Sequence, residues 1–328
     1  MKHIVTFGEL MLRLSPAGDF QIGQTAQFNS FYGGSEANVA ASLAISGIPT
    51  YFVSLLPDNE IGVDAMSKMR AYGIDTKWLK TAPGRMGIYF SQPPFIEGNS
   101  RRSIYDRAGS AFSLTKKENF DWNAIFKDAA IFHFSGITPA LSPALAQICL
   151  QACKAAYELG VLVSCDINYR ASLWEEQKAS RVMKNLCRYA DILFINEHEA
   201  NILGYKADGS DLMDMGRFAE MTDFLRQTYP ANIISTVARV HNKLGNLAVQ
   251  AVLRSGDKFF KSPMLSLPPV TDQSGAGDAY AAAVLYGLIN KHRPQRIVND
   301  AALACAYKHK CLGDINLVPL NKLMGHLY

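Results

Sequence analysis

The chain has 328 residues, 48% hydrophobic and 19% charged, the ordinary balance of a globular protein able to bury a large core. A net charge of +4 from 33 basic and 29 acidic residues is too even for a nucleic-acid footprint. The longest stretch without a charged residue, 129–153, is interrupted by His133, Pro139, Pro143, Gln147 and Gln151, which excludes a membrane span there.

The first apolar run, residues 4–7, reads as a buried strand closed by Gly8-Glu9. It has neither the length nor the cleavage site of a signal peptide, which places the chain in the cytoplasm. The six cysteines include no Cys-x-x-Cys pair and fall mostly in apolar patterns, so they read as buried, reduced thiols rather than disulfides or zinc ligands. Residues 11–15 and 27–32 alternate like half-exposed strands of a small sheet apart from the main core. Gly33-Gly34 then precede a helix closed by Gly47, with Ser35 as its expected N-cap, and two glycines there let a ligand approach the backbone. A strand at 51–55 leads into a helix over 59–72.

Two more strand-like runs, 87–92 and 101–107, flank Pro93-Pro94 and Glu97-Gly98-Asn99, and their mixed polarity suits a β-lid with exposed edges. From Ala130 the pattern becomes regular: strand 131–134, helix 143–159, strand 161–165, helix 175–189, strand 192–195, then a strand at 232–236 and a last helix over 294–310. Continuous apolar strands between amphipathic helices predict a parallel sheet covered on both faces, a doubly wound α/β core. Without a repeat or linker, 1–328 reads as one domain, with lid strands within about 10–32 and 87–107.

Ligands of such sheets collect at the carboxyl ends of the strands. Three polar groups fall there: Asp166 to Arg170, Asn196 to Glu199, and the loop from Asp272 to Asp278. In that loop Gly275, Ala276 and Gly277 permit tight backbone geometry at the start of an apolar helix, the arrangement that gathers N–H groups on an anion. Asp278 is a carboxylate beside that anion, which is unfavourable unless it serves as a base for an attacking hydroxyl. A glycine-rich loop that merely caps a core helix is the plainer alternative. The dinucleotide fingerprint fails because Tyr280 stands at its third small position, and a Walker loop fails because no Gly-Lys dipeptide occurs. Asn196 could equally cap a helix carrying two acids in its first turn. His198 reads as solvated and His133 as a core histidine; hydrolase, metalloprotease and protein-kinase signatures are absent.

Residues 271–278 resemble the second signature of the ribokinase-like (PfkB) carbohydrate kinases, Asp-Thr-Thr-Gly-Ala-Gly-Asp, with Gln273 and Ser274 in place of the threonines. Residues 33–47 resemble the first. The resemblance implies a ribokinase-like fold and ATP-dependent phosphorylation, with Asp278 as base and Gly275, Ala276 and Gly277 as anion hole. It further implies that Asn196, Thr236, Ser274, Gly275, Gly277 and Asn316 serve the nucleotide. Asn196 and Glu199 match an Asn-x-x-Glu pattern at its magnesium and phosphate end, Glu199 acting through water. ATP, Mg²⁺ and a monovalent cation such as K⁺ are the implied cofactors. The polar run 239–246, with Lys243 and Gly245, occupies the place of a nucleotide loop but matches it poorly.

Within the family, residues 8–15, 34–40, 105–110, 166–170 and 308–316 resemble the kinases of 2-keto-3-deoxygluconate. That implies a sugar acid held by Tyr89, Tyr105, Arg107 and Arg170, with Gly34 and Asn38 opposite. Arg107 could instead pair with Asp106 or another acid. The implied partners are this sugar acid, ATP and a second copy of the chain, joined through lid edges carrying Phe28, Phe31, Tyr89 and Phe90, with no nucleic acid or membrane. A kinase for a neutral ketose such as fructose, and a regulator of the same fold that has lost turnover, are the alternatives.

Overall fold

The strands, in chain order, are β1 (His3–Phe7), β2 (Met11–Pro16), β3 (Phe28–Gly33), β4 (Thr50–Pro57), β5 (Leu79–Ala82), β6 (Gly87–Gln92), β7 (Arg102–Asp106), β8 (Ala129–Ser135), β9 (Leu162–Asp166), β10 (Ile192–Phe194), β11 (Ile233–His241), β12 (Leu247–Ser255), β13 (Lys258–Lys261) and β14 (Leu265–Ser266). The helices are α1 (Ser35–Ile45), α2 (Glu60–Ala71), α3 (Trp122–Ile125), α4 (Ile137–Ala140), α5 (Pro143–Glu158), α6 (Glu176–Leu186), α7 (Glu197–Leu203), α8 (Met215–Arg226), α9 (Ala276–Ile289), α10 (Pro294–Lys308) and α11 (Leu320–Leu323). These come from a computed structural model that describes residues 2–18, 20–92, 102–206, 213–241, 246–267 and 269–323.

The large sheet runs β13-β12-β11-β10-β9-β8-β1-β4-β5, with β14 added to β12. From β11 to β5 every pairing is parallel, and β12, β13 and β14 form an antiparallel end. Alternation along each strand sends side chains to opposite faces. In β1, Val5 and Phe7 meet the face covered by α5, α6 and α8, whereas Ile4 meets the face covered by α1, α9 and α10. This is the doubly wound ribokinase-like α/β fold that the sequence predicts. The antiparallel end and the four-residue β5 were not foreseen. Only Leu79 is buried in β5, and β11 continues to His241 where a polar loop was expected to begin.

The smaller sheet, the lid, runs β3-β2-β6-β7, with β2 parallel to β6 and the outer pairs antiparallel. Its strands fall where the alternating runs place them. Met11, Arg13 and Ser15 are buried, while Leu12 and Leu14 are only half-buried. Both faces of this sheet carry apolar side chains, so alternation alone does not say which face turns inward. Tyr89, expected at an exposed edge, is buried on the inner face and stacks on Tyr105 with centroids 5.4 Å apart. Phe28 and Phe90 meet edge-to-face at 6.2 Å on the outer face. Arg101, Lys243 and Gly245 lie outside the described residues. The six cysteines are free thiols, five of them buried, as expected. Among the described residues no helix is long and apolar enough to cross a membrane.

Candidate active site

The carboxyl ends of β9, β10 and β11 and the N-termini of α1 and α9 border one cleft of about 570 Å³, under the inner face of the lid. Its centre is the turn into α9. Gly275 caps that helix with φ 75°, and a Cβ there would come within 1.8 Å of the Asp314 carbonyl oxygen, so the tail after α10 admits only glycine. A Cβ on Gly277 would meet nothing within 4 Å beyond its own helix turn, so that side of the turn is open to a ligand. The Ala276 N–H donates to the Gln273 carbonyl at 3.2 Å, so the expected three-amide anion hole reduces to the Gly275 and Gly277 amides, which have no protein acceptor among the described residues. Both sit at the positive end of a long apolar helix.

Asp278 is held from α1. Its Oδ1 accepts the Ser35 hydroxyl at 2.7 Å and its Oδ2 accepts the Asn38 Nδ2 at 2.7 Å. Ser35 is thus the first residue of the helix rather than its cap, which is Gly34, and its hydroxyl is spent on the carboxylate. Nothing in the local sequence signals this, because the partner lies in the distant α9 turn. A Cβ on Gly34 would come within 2.0 Å of the Glu9 carbonyl oxygen, which explains the second glycine of the pair. Asp278 is half-buried, open only towards the cleft, and burial pushes its carboxyl pKa up against the pull of the Asn38 and Ser35 hydrogen bonds.

Acids collect at the carboxyl ends of β9 and β10. Burial holds the Asp166 carboxyl well above its ordinary range, with Glu199 and Asp278 adding to the effect. Asn168, at φ 40°, donates to Asp166 at 3.2 Å. Asn196 caps α7 by accepting the Glu199 N–H at 2.9 Å, and the Glu199 carboxylate returns to the Asn196 N–H at 2.9 Å and the Tyr169 N–H at 3.0 Å. The capping alternative is therefore realised, and both side chains also line the cleft. Burial raises the Glu199 pKa, opposed by those two amides. Thr236 and Ser274 line the same end. Asn316 does not: it is buried and closes a local turn with Val318. Arg239, which the sequence did not single out, borders the cleft and hydrogen-bonds Gln273.

Tyr89, Tyr105, Arg107 and Arg170 all line the cleft, as do Gly34 and Asn38. Arg107 pairs with Glu9, its Nε 2.7 Å from Oε2, and Ser110 donates to the other oxygen of Glu9. Asp106, the acid expected to compete for it, is bound instead by Arg85 at 2.6 Å. Arg170 is exposed at the rim and donates to the Tyr169 carbonyl at 3.1 Å; among the described residues no carboxylate pairs with it. His198 is solvent-exposed near Glu176, and His133 is buried with Nδ1 2.9 Å from the Ser164 hydroxyl and a pKa lowered by burial to about 3, so neither belongs to the site.

Free amides at a helix N-terminus, a half-buried carboxylate beside them and a rim of guanidinium groups are the kinds of group that passage of a phosphoryl group to a hydroxyl requires. The fold and the site define a phosphotransferase. The chain belongs to the pfkB family of carbohydrate kinases, whose pattern residues 1–320 match. It is 36% identical to a crystal structure of 2-dehydro-3-deoxygluconokinase from Thermotoga maritima, covering 99% of this chain and 98% of that one with a TM-score of 0.91. It is 29% identical to a 2-dehydro-3-deoxygalactonokinase of Haloferax volcanii over 96% of this chain and 93% of that one. A 2-dehydro-3-deoxygluconokinase of Thermoproteus tenax is 26% identical over 97% and 92%.

Proposed function

We propose that the enzyme transfers the terminal phosphoryl group of ATP to the primary hydroxyl of a sugar acid, 2-keto-3-deoxygluconate giving its 6-phosphate. The observation that carries this reading is the placement of Arg107 and Arg170 on the cleft that holds Asp278, since guanidinium groups suit a carboxylate that hydroxyls alone would not select. Asp278 takes the hydroxyl proton, the Gly275 and Gly277 amides stabilise charge on the phosphoryl group, and Ser35 and Asn38 keep the carboxylate aimed. Whole-chain agreement with the family supports one domain over 1–328.

No three acidic, histidine or cysteine side chains among the described residues form a protein-only metal cage. That suits Mg²⁺, which keeps waters and binds through a few carboxylates and substrate phosphates. Asp166 and Glu199 are the oxygen donors at the β9 and β10 end of the cleft that would hold it, Glu199 through water as the family resemblance implies. When bound, the ion neutralises the nucleotide phosphates.

Arg170→Ala should raise KM for 2-keto-3-deoxygluconate by roughly tenfold or more, the loss of a charged hydrogen bond, while KM for ATP barely changes. Arg107→Ala should do the same less cleanly, because it also frees Glu9. Coupled ADP-release assays over sugar acids and ketoses test both. The Arg107–Glu9 pair is the one feature that favours the second reading, a neutral ketose as acceptor, and efficient phosphorylation of fructose would establish that instead.

A homodimer through the lid is part of the proposal, but by its face rather than the edges first expected. Leu14, Phe28, Phe90 and Ile104 lie together on the outer face, with Ile104 44% exposed. Light scattering should give twice the chain mass at micromolar concentration, and Phe90→Lys should give monomers.

A further inference from the structure

Two buried carboxylates stand against the backbone of the phosphate loop. Asp272 opens the loop and accepts the Ser274 N–H at 3.0 Å and the Gly313 N–H at 3.2 Å. Asp314 belongs to the tail segment whose carbonyl abuts Gly275. Asp272 is 0% exposed and Asp314 5%. Two buried carboxylates behind a loop that must receive phosphates demand positive charge, since an unpaired buried charge is costly. The family resemblance implies a monovalent cation such as K⁺ without giving it a place, and a pair of buried carboxylates is where one would be drawn.

The chain supplies the charge itself. Arg13, wholly buried on the inner face of β2, sets Nη2 2.6 Å from Asp272 and Nη1 3.0 Å from Asp314, and its Nε donates to the Ser15 hydroxyl at 2.9 Å. All three edges of the guanidinium fork are used. Lys308, equally buried at the end of α10, donates Nζ to the Cys311 carbonyl at 3.0 Å, a backbone oxygen of the kind a monovalent cation binds; burial lowers its pKa, opposed by Asp272 and Asp314. The Tyr89 hydroxyl donates to the remaining oxygen of Asp314. The two carboxylates share the Arg13 guanidinium, and the buried Lys308 ammonium occupies the neighbouring Cys311 carbonyl, so the charge an added cation would balance is already met. Burial pulls the Arg13 pKa down, but Asp314 and Asp272 outweigh it and hold the group above its ordinary value. K⁺ therefore does not fit these residues.

We propose that Arg13 and Lys308 are the resident cations of the phosphate loop, replacing an ion from solution, and that Arg13 is the positioning residue that fixes the loop against the tail. This goes beyond the sugar-acid reading and does not depend on it. The test compares the whole protein at equal ionic strength in potassium, sodium and tetramethylammonium chloride. With Mg²⁺ and ATP present the melting temperature should be the same in all three salts, and turnover of whichever sugar is accepted should be the same as well. A melting rise specific to K⁺, or K⁺ activation of roughly tenfold, overturns the proposal. The melting comparison needs no acceptor, so it separates this outcome from a wrong choice of sugar. Arg13→Ala should lower kcat by roughly 10²-fold, the cost of misplacing the reacting groups by about 1 Å, and millimolar guanidinium, but not tetramethylammonium, should restore part of it. Wild-type kcat in that variant also overturns the proposal, and if the variant does not fold the wild-type salt comparison alone decides.

Discussion

Asp278→Asn should lower kcat by roughly 10²–10⁴-fold, the usual worth of a general base, while ATP and sugar still bind. The amide keeps the shape of the carboxylate. Its oxygen can accept from Asn38, and its NH₂ can turn to Ser35, whose hydroxyl accepts as readily as it donates. Only the basicity is lost. The pH profile separates this from a merely structural effect. Burial raises the Asp278 pKa, so wild-type kcat/KM should fall with decreasing pH around a midpoint above the ordinary aspartate value of about 3.9. The residual activity of the variant should lack that acid limb. Calorimetry for binding and steady-state rates across pH would check both, and a near-normal kcat would remove Asp278 from its role.

Gly275→Ala should cost roughly 10²–10³-fold in kcat, comparable to losing an anion-hole donor. Two constraints act together there: the left-handed φ of 75° disfavours a side chain, and the added carbon would lie 1.8 Å from the Asp314 carbonyl oxygen. Neither side of that contact is a flexible side chain, so backbone must move and the amides lose their aim. Gly277→Ala is the matched control. Its added carbon meets nothing beyond its own helix turn, so the fold and melting temperature should persist while KM for ATP rises from crowding in the cleft. Equal melting temperatures and equal kcat for the two variants would show that the turn has slack.

The parts of this molecule that read directly from sequence are those in which one segment carries the whole signal. The alternating β and α patterns from Ala130 onward predict the core because each strand is apolar on both faces. The 271–278 stretch shows its chemistry because loop, helix start and carboxylate are contiguous. Charge pairing across the chain is different. Arg13 and Asp272 are 259 positions apart, and Arg107 and Glu9 are 98 apart. Nothing local distinguishes a buried arginine from a solvated one in an alternating strand. In β2 alternation alone leaves the inward face open, and it is the partners of Arg13 that turn Met11, Arg13 and Ser15 inward. Asn196 was open to two readings, and it both caps α7 and faces the cleft. Asn316 follows the family pattern in sequence, yet its amide is spent on Val318.

Arg13 and Tyr89 stand on β2 and β6, the two inner strands of the lid, and both are tied to acids that belong to the body of the enzyme. The lid is therefore no free flap, because lifting these strands would strip two carboxylates of their partners. Freedom to change is left to β7, all five of whose residues are exposed and which leads directly into Arg107. β7 touches the centre of buried acids through Tyr105, which stacks on Tyr89, but no bond among the described residues joins it directly to Asp272 or Asp314. Such a division lets descendants of this scaffold, or an engineer, exchange one sugar for another by rewriting a single outer strand.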